Sequence, residues 1–409
     1  MANLLSVDEA LARILGAANP LEPEDVDLAA ALGRVVVSPV RADVDDPPFD
    51  RSAMDGLAVR AADVAEPVTL RLIGVIAAGD PPPERPVMAG EAYRIMTGAP
   101  LPPGADAVVI VEHTEDAGGG AVLVLEGAPR GANIRVRGEV AKRGDEVVSL
   151  GRLVTPEVMG VLASFGVGRV AVVRRPRVVV MATGNELVPV EAVPGPGQIR
   201  DSNRWTIAAL AELAGAVVDV APTVRDDRAS VLAAIRAGLQ HDVLVLSGGV
   251  SMGTFDIVGE CLRALGAEVL LHKVAIQPGK PLLVARCGRT LIFGLPGNPV
   301  SVLVTGRVFL MPALRRMAGR QRPSDPLIPA RLAGTLPVAA GRTIYHPAVI
   351  LFTDGAPMVT PLQTLGSADQ VGHARRNCFI VRQQGAGPHS YGESVPCMID
   401  PLGLLDWGD

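Results

Sequence analysis

Val243-Leu244-Val245-Leu246, followed by Ser247-Gly248-Gly249-Val250-Ser251-Met252-Gly253-Thr254-Phe255-Asp256, decides how the rest of this chain is read. Four consecutive aliphatic residues with no polar alternation read as a parallel strand buried on both faces. Three glycines then let the backbone turn sharply and come close to a ligand, because no Cβ obstructs it. Phe255 to Leu265 reads as a helix, with Gly266 as its C-terminal stop. Strand, glycine loop and helix in that order present backbone N–H groups to a phosphate. A carboxylate beside a phosphate is repelled unless a cation stands between them, so Asp256 points to Mg2+ or to proton transfer. The plainer reading of Asp256 is an acidic residue favoured by the helix dipole.

Outward from that stretch, strands and helices alternate. Arg177 to Met181, Val217 to Val220 and Val243 onward read as strands; Asn203 to Leu213 and Arg228 to Leu239 read as helices, the second with Asp226 or Asp227 at its N-terminus. Strands at Glu268 to Val274, Leu282 to Val284 and Leu291 to Phe293 follow, and a last helix opens at Asn298-Pro299 and runs to about Met317. This alternation predicts a doubly wound α/β domain over 175–320, with ligands at the C-terminal ends of its strands. Upstream, Ser6-Val7-Asp8-Glu9 is a capping box for a helix that Gly16 ends, and a short helix is expected around Leu28 to Leu32. Thr155 to Phe165 returns to helical spacing, so 1–44 and 142–174 form one discontinuous helical domain. Between them, 45–141 reads as a β-rich insertion, with strands at Leu70 to Ala77, Ala92 to Met96, Ala107 to Val111 and Val122 to Leu125. Beyond the linker at Arg320 to Pro326, 321–409 reads as a small β domain resembling a barrel.

The chain has 409 residues, 48% hydrophobic and 20% charged, with net charge -5, which argues against general nucleic-acid binding. Aromatic residues are 3%, too few for a base-stacking platform. No apolar run reaches membrane-spanning length, and the N-terminus lacks a signal-peptide pattern, so a cytoplasmic protein with no membrane and no nucleic-acid partner is expected. Cys261, Cys287, Cys378 and Cys397 form no Cys-x-x-Cys and read as free thiols. The scattered histidines give no zinc or haem signature.

Six motifs fall in one order: Asp50-Arg51-Ser52-Ala53-Met54-Asp55-Gly56, Arg94-Ile95-Met96-Thr97-Gly98-Ala99-Pro100, Thr183-Gly184-Asn185-Glu186-Leu187, Ser247 to Asp256, Gln277-Pro278-Gly279-Lys280-Pro281, and Gly294-Leu295-Pro296-Gly297-Asn298-Pro299-Val300-Ser301. The ordered set resembles the molybdopterin molybdenumtransferases, the MoeA family, which includes the E domain of gephyrin, and it covers essentially the whole chain. The resemblance implies a four-domain fold and a homodimer, with the active-site cleft between the α/β domain of one subunit and the β-insertion of the other. It implies that molybdate and adenylylated molybdopterin are consumed, that AMP is released, and that Mg2+ assists. The adenylyltransferase of the preceding step and the recipient molybdoenzymes are the protein partners it implies.

Read as chemistry, the residues agree. Cleaving a pyrophosphate needs charge neutralisation and positioned donors. Asp55, Thr97, Glu186, Asp256 and Lys280 are the catalytic candidates. Ser247, Gly248, Gly249, Ser251, Gly253, Lys273, Pro296, Gly297, Asn298 and Ser301 are the substrate-binding candidates, and Asp227, Asp256 and Glu186 the metal candidates. Asp-Gly at 55–56 and Thr-Gly at 97–98 also fit plain turns, and Asp227 a plain helix cap. Three positions depart from the family pattern. Leu57 stands where Tyr is usual, which removes an aromatic surface and a hydroxyl; Val140 replaces an acid; and Gln277 replaces a Lys near the phosphates. Two alternatives stay open: a non-catalytic molybdopterin-binding scaffold or carrier, and the adenylyltransferase itself.

Overall fold

The computed structural model describes residues 4–248, 257–352, 355–400 and 402. The chain divides into two compact units: one holds the N-terminus up to Val26, Ala31–Val37 and the chain from Ala171 onward, and the other holds Asp27–Ala30 and Ser38–Val170.

The first unit contains the central sheet. Its strand order is Val217–Val220, Arg177–Ala182, Val243–Ser247, Thr290–Leu295, Leu283–Cys287, Glu268–His272. The first four strands are parallel, and Leu283–Cys287 runs antiparallel to both of its neighbours. The antiparallel end follows from connection length: Gly288 and Arg289 alone join Leu283–Cys287 to Thr290–Leu295, and a parallel crossover needs a dozen residues or more. The sheet is wound on both faces, as the alternation of strands and helices predicts. Val178, Val180, Val243 and Val245 pack with Ile207, Leu210 and Phe309, while Val179, Met181, Leu244 and Leu246 pack with Val231, Ile235, Val258 and Leu262. Side chains alternate across a strand, so a continuous apolar run serves both layers at once.

The helices start and stop as their sequences direct, with a few differences. The Ser6–Glu9 capping box is formed on Val7–Ala17. That helix continues through Gly16, and Ala18 closes it by donating to Ile14. The segment at Leu28 is one 3-10 turn, Leu28–Ala30. The last helix is continuous but changes pitch: Pro299–Thr305 is α-helical, Gly306–Leu310 is a π segment, and Met311–Met317 is α-helical again. Pro312, which lacks an N–H, stands in the first turn after the wide segment. Asn298 holds the extended cap conformation, yet its side chain does not cap; Nδ2 donates to Ser367 Oγ at 2.8 Å instead.

The C-terminal sheet has the order Ile276–Gln277, Thr343–Leu351, Met358–Pro361, Leu327–Leu332, Ser394–Ile399, Cys378–Arg382, and Cys378–Arg382 pairs back onto Thr343–Leu351. That pairing closes five strands into a barrel around Leu332, Ile350, Val359 and Ile380. One short helix, Gln370–Ala374, interrupts a region expected to hold only strands and turns. Buried charges tie this barrel to the pitch-changing helix. Asp325 accepts from Arg307 at 3.1 Å and from Arg315 at 2.6 Å, and Asp400 pairs with Arg307 and Arg376. All four cysteines are free.

The second unit carries its own six-stranded sheet, in the order Ala107–Ile110, Gly56–Val59, Glu91–Ile95, Val68–Ile76, Ala121–Val124, Thr114–Gly118. Gly56–Val59 is central and fully buried, which the turn-like Asp-Gly pair at its start disguises in sequence. Leu57 is 2% exposed and packs with Val59, Leu70, Val109 and Val124. Its side chain therefore fills this unit's core rather than offering a surface to substrate. Among the described residues, no helix is long and apolar enough to cross a membrane.

Removing one partner of a buried ion pair strands the other charge. Asp325→Ala leaves Arg315 without its carboxylate, and thermal or denaturant unfolding should show a loss of about 3 kcal/mol. A loss below about 1 kcal/mol would show that the clamp does not hold the barrel.

Candidate active site

In the first unit, the strand order reverses beside Arg177–Ala182: the chain crosses first to Val217–Val220 on one side and then to Val243–Ser247 on the other. The crevice at the C-terminal ends of such strands is where open α/β sheets bind ligands. Thr183 and Ser247–Gly248 stand at that point. Thr183 N–H donates to Ser247 O at 2.9 Å, which locks the two strand ends side by side. Gly248 has φ +91, and a Cβ there would lie 2.4 Å from Thr183 O, so only glycine fits.

Ser247 is buried, and its Oγ accepts from Asn203 Nδ2 at 2.9 Å. The same nitrogen donates to Gly297 O at 2.8 Å. Glu186 folds back over Gly184, with both carboxylate oxygens 2.8 Å from where a Cβ on that glycine would be. Thr183 Oγ1, Asn203 Oδ1 and Asp226 Oδ1 are buried without a hydrogen-bond partner among the described residues. Buried polar atoms are nearly always satisfied, so each of these three wants a partner that the described residues do not supply.

Asp227 does something else. It caps Arg228–Gly238: Oδ1 accepts from Ser230 N–H at 2.9 Å and Oδ2 from Ser230 Oγ at 2.7 Å. The Ser230 amide, then its hydroxyl, hold this carboxyl below the usual range. Of its two sequence readings, the structure displays the helix cap. No group of three or more His, Cys, Asp or Glu able to hold a metal ion occurs among the described residues. Magnesium is commonly held by one or two carboxylates plus substrate phosphates, a demand that the exposed Glu186 carboxylate beside Gly184 fits. Gly249, Ser251, Gly253 and Asp256 lie outside the described residues.

A cavity of about 900 Å³ opens between the Gln277–Pro281 loop and the C-terminal barrel, within the same unit. Lys280, Arg342, Ser301 and Ser367 bring two cations and two hydroxyls to its wall, and Gln277, His346 and His373 also line it. Gly279, with φ +113, sits against Thr305; a Cβ there would be 2.5 Å from the Thr305 methyl, so the loop carrying Lys280 can lie this close only with glycine. Lys273 does not line this cavity. It is half-buried, with φ +70, and its N–H donates to Leu282 O. Pro296 is buried, and Gly297 and Asn298 are exposed at the end of Thr290–Leu295, where Asn203 and Ser367 hold them. Asn203, Arg342 and Ser367 were missed in sequence. Each sits in a short polar stretch without a motif, and only the fold brings it to the site.

In the second unit, Asp55 Oδ1 accepts from Thr97 N–H at 2.6 Å and from Thr97 Oγ1 at 2.8 Å. The sequence-predicted pair is therefore in direct contact. Both bonds go to the charged form, so the amide first and the hydroxyl second hold the Asp55 carboxyl below the usual carboxylate range. Gly56 makes the turn possible: a Cβ there would fall 1.9 Å from Val109 O. Val140 is 70% exposed.

The chain was compared with known proteins. Residues 5–166 match the MoeA N-terminal region (domain I and II), and residues 179–316 match the probable molybdopterin binding domain. The molybdopterin molybdenumtransferase of Staphylococcus aureus (strain Mu50) is 34% identical over 406 residues, covering 97% of this chain and 96% of its own. That of Bacillus subtilis (strain 168) is 35% identical over 404 residues, covering 97% and 94%. Among solved structures, a molybdopterin biosynthesis MoeA protein of Pyrococcus horikoshii superposes with a TM-score of 0.78 at 30% identity, covering 97% of this chain and 99% of its own. The switch-point crevice and the closed C-terminal barrel thus belong to a multidomain α/β protein of the molybdopterin-binding class. This chain is a member of the molybdopterin molybdenumtransferase family.

Two titrations check these assignments. Thr97→Val keeps the amide and removes the hydroxyl, so the Asp55 carboxyl, followed by NMR, should titrate at higher pH than in the parent. An unchanged midpoint would remove Thr97 Oγ1 from the pair. In the cavity, burial first and then the Arg376 charge push His373 down to about 4, against opposition from Asp369; His346 adds to the depression. Between about 6.5 and that value the unfolded chain binds a proton that the folded chain refuses. Stability should therefore fall on acidification through this window, and His373→Gln should flatten that slope. An unaltered slope would place its origin elsewhere.

Proposed function

We propose that this chain inserts molybdate-derived metal into adenylylated molybdopterin with release of AMP, as a step of molybdenum cofactor biosynthesis. The observation that carries the proposal is the pairing, within one unit, of a strand-end notch that holds the Ser247 and Thr183 hydroxyls with a cavity that carries Lys280 and Arg342. The first suits an adenylylated phosphate chain and the second an oxyanion. Relatives alike over nearly their whole length carry the corresponding name.

In this reading, an oxygen of water or molybdate bonds to phosphorus as the phosphoanhydride P–O bond breaks; AMP leaves with that electron pair, and charge builds on the phosphate oxygens. Ser247 and Thr183 offer hydroxyl donors there. Asp256 and Glu186 handle the cation and proton chemistry beside it. Mg2+ would arrive on the substrate phosphates and would be held on the protein side by these carboxylates; its role is to neutralise the leaving phosphate. Lys280, Arg342, Ser301 and Ser367 seat molybdate, and Pro296, Gly297 and Asn298 shape the wall between the two sites. Asp55, held ionised by Thr97, would serve as a further carboxylate from the other subunit of the proposed homodimer. Gln277 contributes a neutral amide to the cavity where a lysine would add charge, so Lys280 and Arg342 carry the anion's neutralisation. A homodimer is part of the proposal. The scaffold and adenylyltransferase readings are not favoured, because the match runs across the N-terminal region and the relatives are transferases.

The test is AMP release by purified protein given adenylylated molybdopterin, Mg2+ and molybdate. Release should depend on molybdate, and Asp256→Ala should abolish it with the fold intact. Lys280→Ala should raise the molybdate concentration for half-maximal release by about tenfold, as for one lost charge-assisted bond. Binding of substrate with no AMP release by the unmutated protein would overturn the proposal.

A further inference from the structure

Asn203 is the first residue of the helix Asn203–Leu213, and its neighbours fix it there. Asp201 is 2% exposed and pairs with Arg204, which also donates to Ala221 O. Ser202 Oγ accepts from Gln370 Nε2 at 2.7 Å. The residue between them therefore has little freedom to move. One amide nitrogen then bonds to two walls of the site, Ser247 Oγ at the strand end and Gly297 O on the facing loop.

A hydroxyl oxygen that accepts a hydrogen bond directs its own proton away from that donor. With Nδ2 pointing at Ser247 Oγ, the serine acts as acceptor toward Asn203 and is left as donor toward the notch. Gly297 sits next to Asn298, whose amide is held by Ser367 on the cavity wall. A single short chain of bonds thus runs Ser247, Asn203, Gly297, Asn298, Ser367, from the phosphate end to the oxyanion end.

We infer that Asn203 is a positioning residue for the transfer. It orients the Ser247 hydroxyl as a donor to the leaving phosphate, and it fixes the Gly297 loop, which Asn298 ties through Ser367 to the wall of the oxyanion cavity. The inference rests on the proposed function, since it names a device inside that same site. An amide is required because the Gly297 carbonyl can only accept, and because Ser247 must accept from position 203 if its own proton is to face the notch. Aspartate, of equal size, offers no donor when ionised and would repel the Gly297 carbonyl.

The experiment is a double-mutant cycle on AMP release, with Asn203→Asp, Asn203→Ala, Ser247→Ala and the two pairs, each checked for an unaltered melting profile. Asn203→Asp should lower kcat about a hundredfold, the range for a lost oriented donor, with a smaller change in KM for adenylylated molybdopterin. Combined with Ser247→Ala, it should add little, because the two act as one unit. Kcat within threefold of the parent in both Asn203 variants would overturn the inference, as would fully additive effects with Ser247→Ala. If Asn203→Asp does not fold, Asn203→Ala, which introduces no repelling charge, carries the same cycle. Failure of the unmutated protein to release AMP would instead strike the proposed function, so the two outcomes separate.

Discussion

The contact between Gly248 and the Thr183 carbonyl governs the site. Two parallel strands end at the same level, and the described helices that follow them, Asn203–Leu213 and Ile257–Ala264, pack on opposite faces of the sheet. The backbone at 248 must turn with positive φ directly against its neighbour's carbonyl, and a methyl group there would sit at 2.4 Å. Ser247, Thr183 and the start of the glycine loop all depend on that approach. So does Asn203, because its bond to Ser247 exists only while the strand end stays in place. The doubly wound sheet supplies the notch; glycine keeps it open.

Much of this was legible in the sequence. The helix Asn203–Leu213 and the strand Val217–Val220 have the bounds their sequences predict, the helix from its apolar spacing and the strand from its β-branched run, even though Val217 and Val220 are exposed at the sheet's edge. The Ser6–Glu9 capping box forms as read. Gly56–Val59 was not legible as a strand, since an Asp-Gly pair reads as a turn and only long-range pairing with Glu91–Ile95 and Ala107–Ile110 makes it central. The same local reading made Leu57 look like a lost surface, whereas it fills a core. The antiparallel edge of the central sheet escaped for a similar reason, because strand direction is set by connection length and pairing, not by composition.

The site residues divide along the same line. Asp55, Thr97, Glu186, Ser247, Lys280 and Ser301 stand in glycine- or proline-punctuated motifs, where local backbone demands leave a trace. Asn203, Arg342 and Ser367 leave none. An amide at a helix start looks like a cap, and an arginine in a turn looks like a solvated charge. Their meaning appears only when Nδ2 of one reaches two walls and the other two meet Lys280 at one cavity. Net charge carries a related lesson. A chain with net charge -5 repels anions in bulk, so anionic substrates require concentrated local donors. In the proposed reading, the cavity with Lys280 and Arg342 would provide them, and the neutral hydroxyls of the notch would stabilise phosphate without further charge.

The central claim is that phosphate and oxyanion occupy two connected seats in one unit. Diffraction from crystals grown with AMP and tungstate, recorded at the tungsten absorption edge, tests it most directly. The account predicts an anomalous peak among Lys280, Arg342, Ser301 and Ser367, with the AMP phosphate beside Ser247 and Thr183. A tungsten peak away from those four residues, or AMP bound away from the Ser247 strand end, would contradict it.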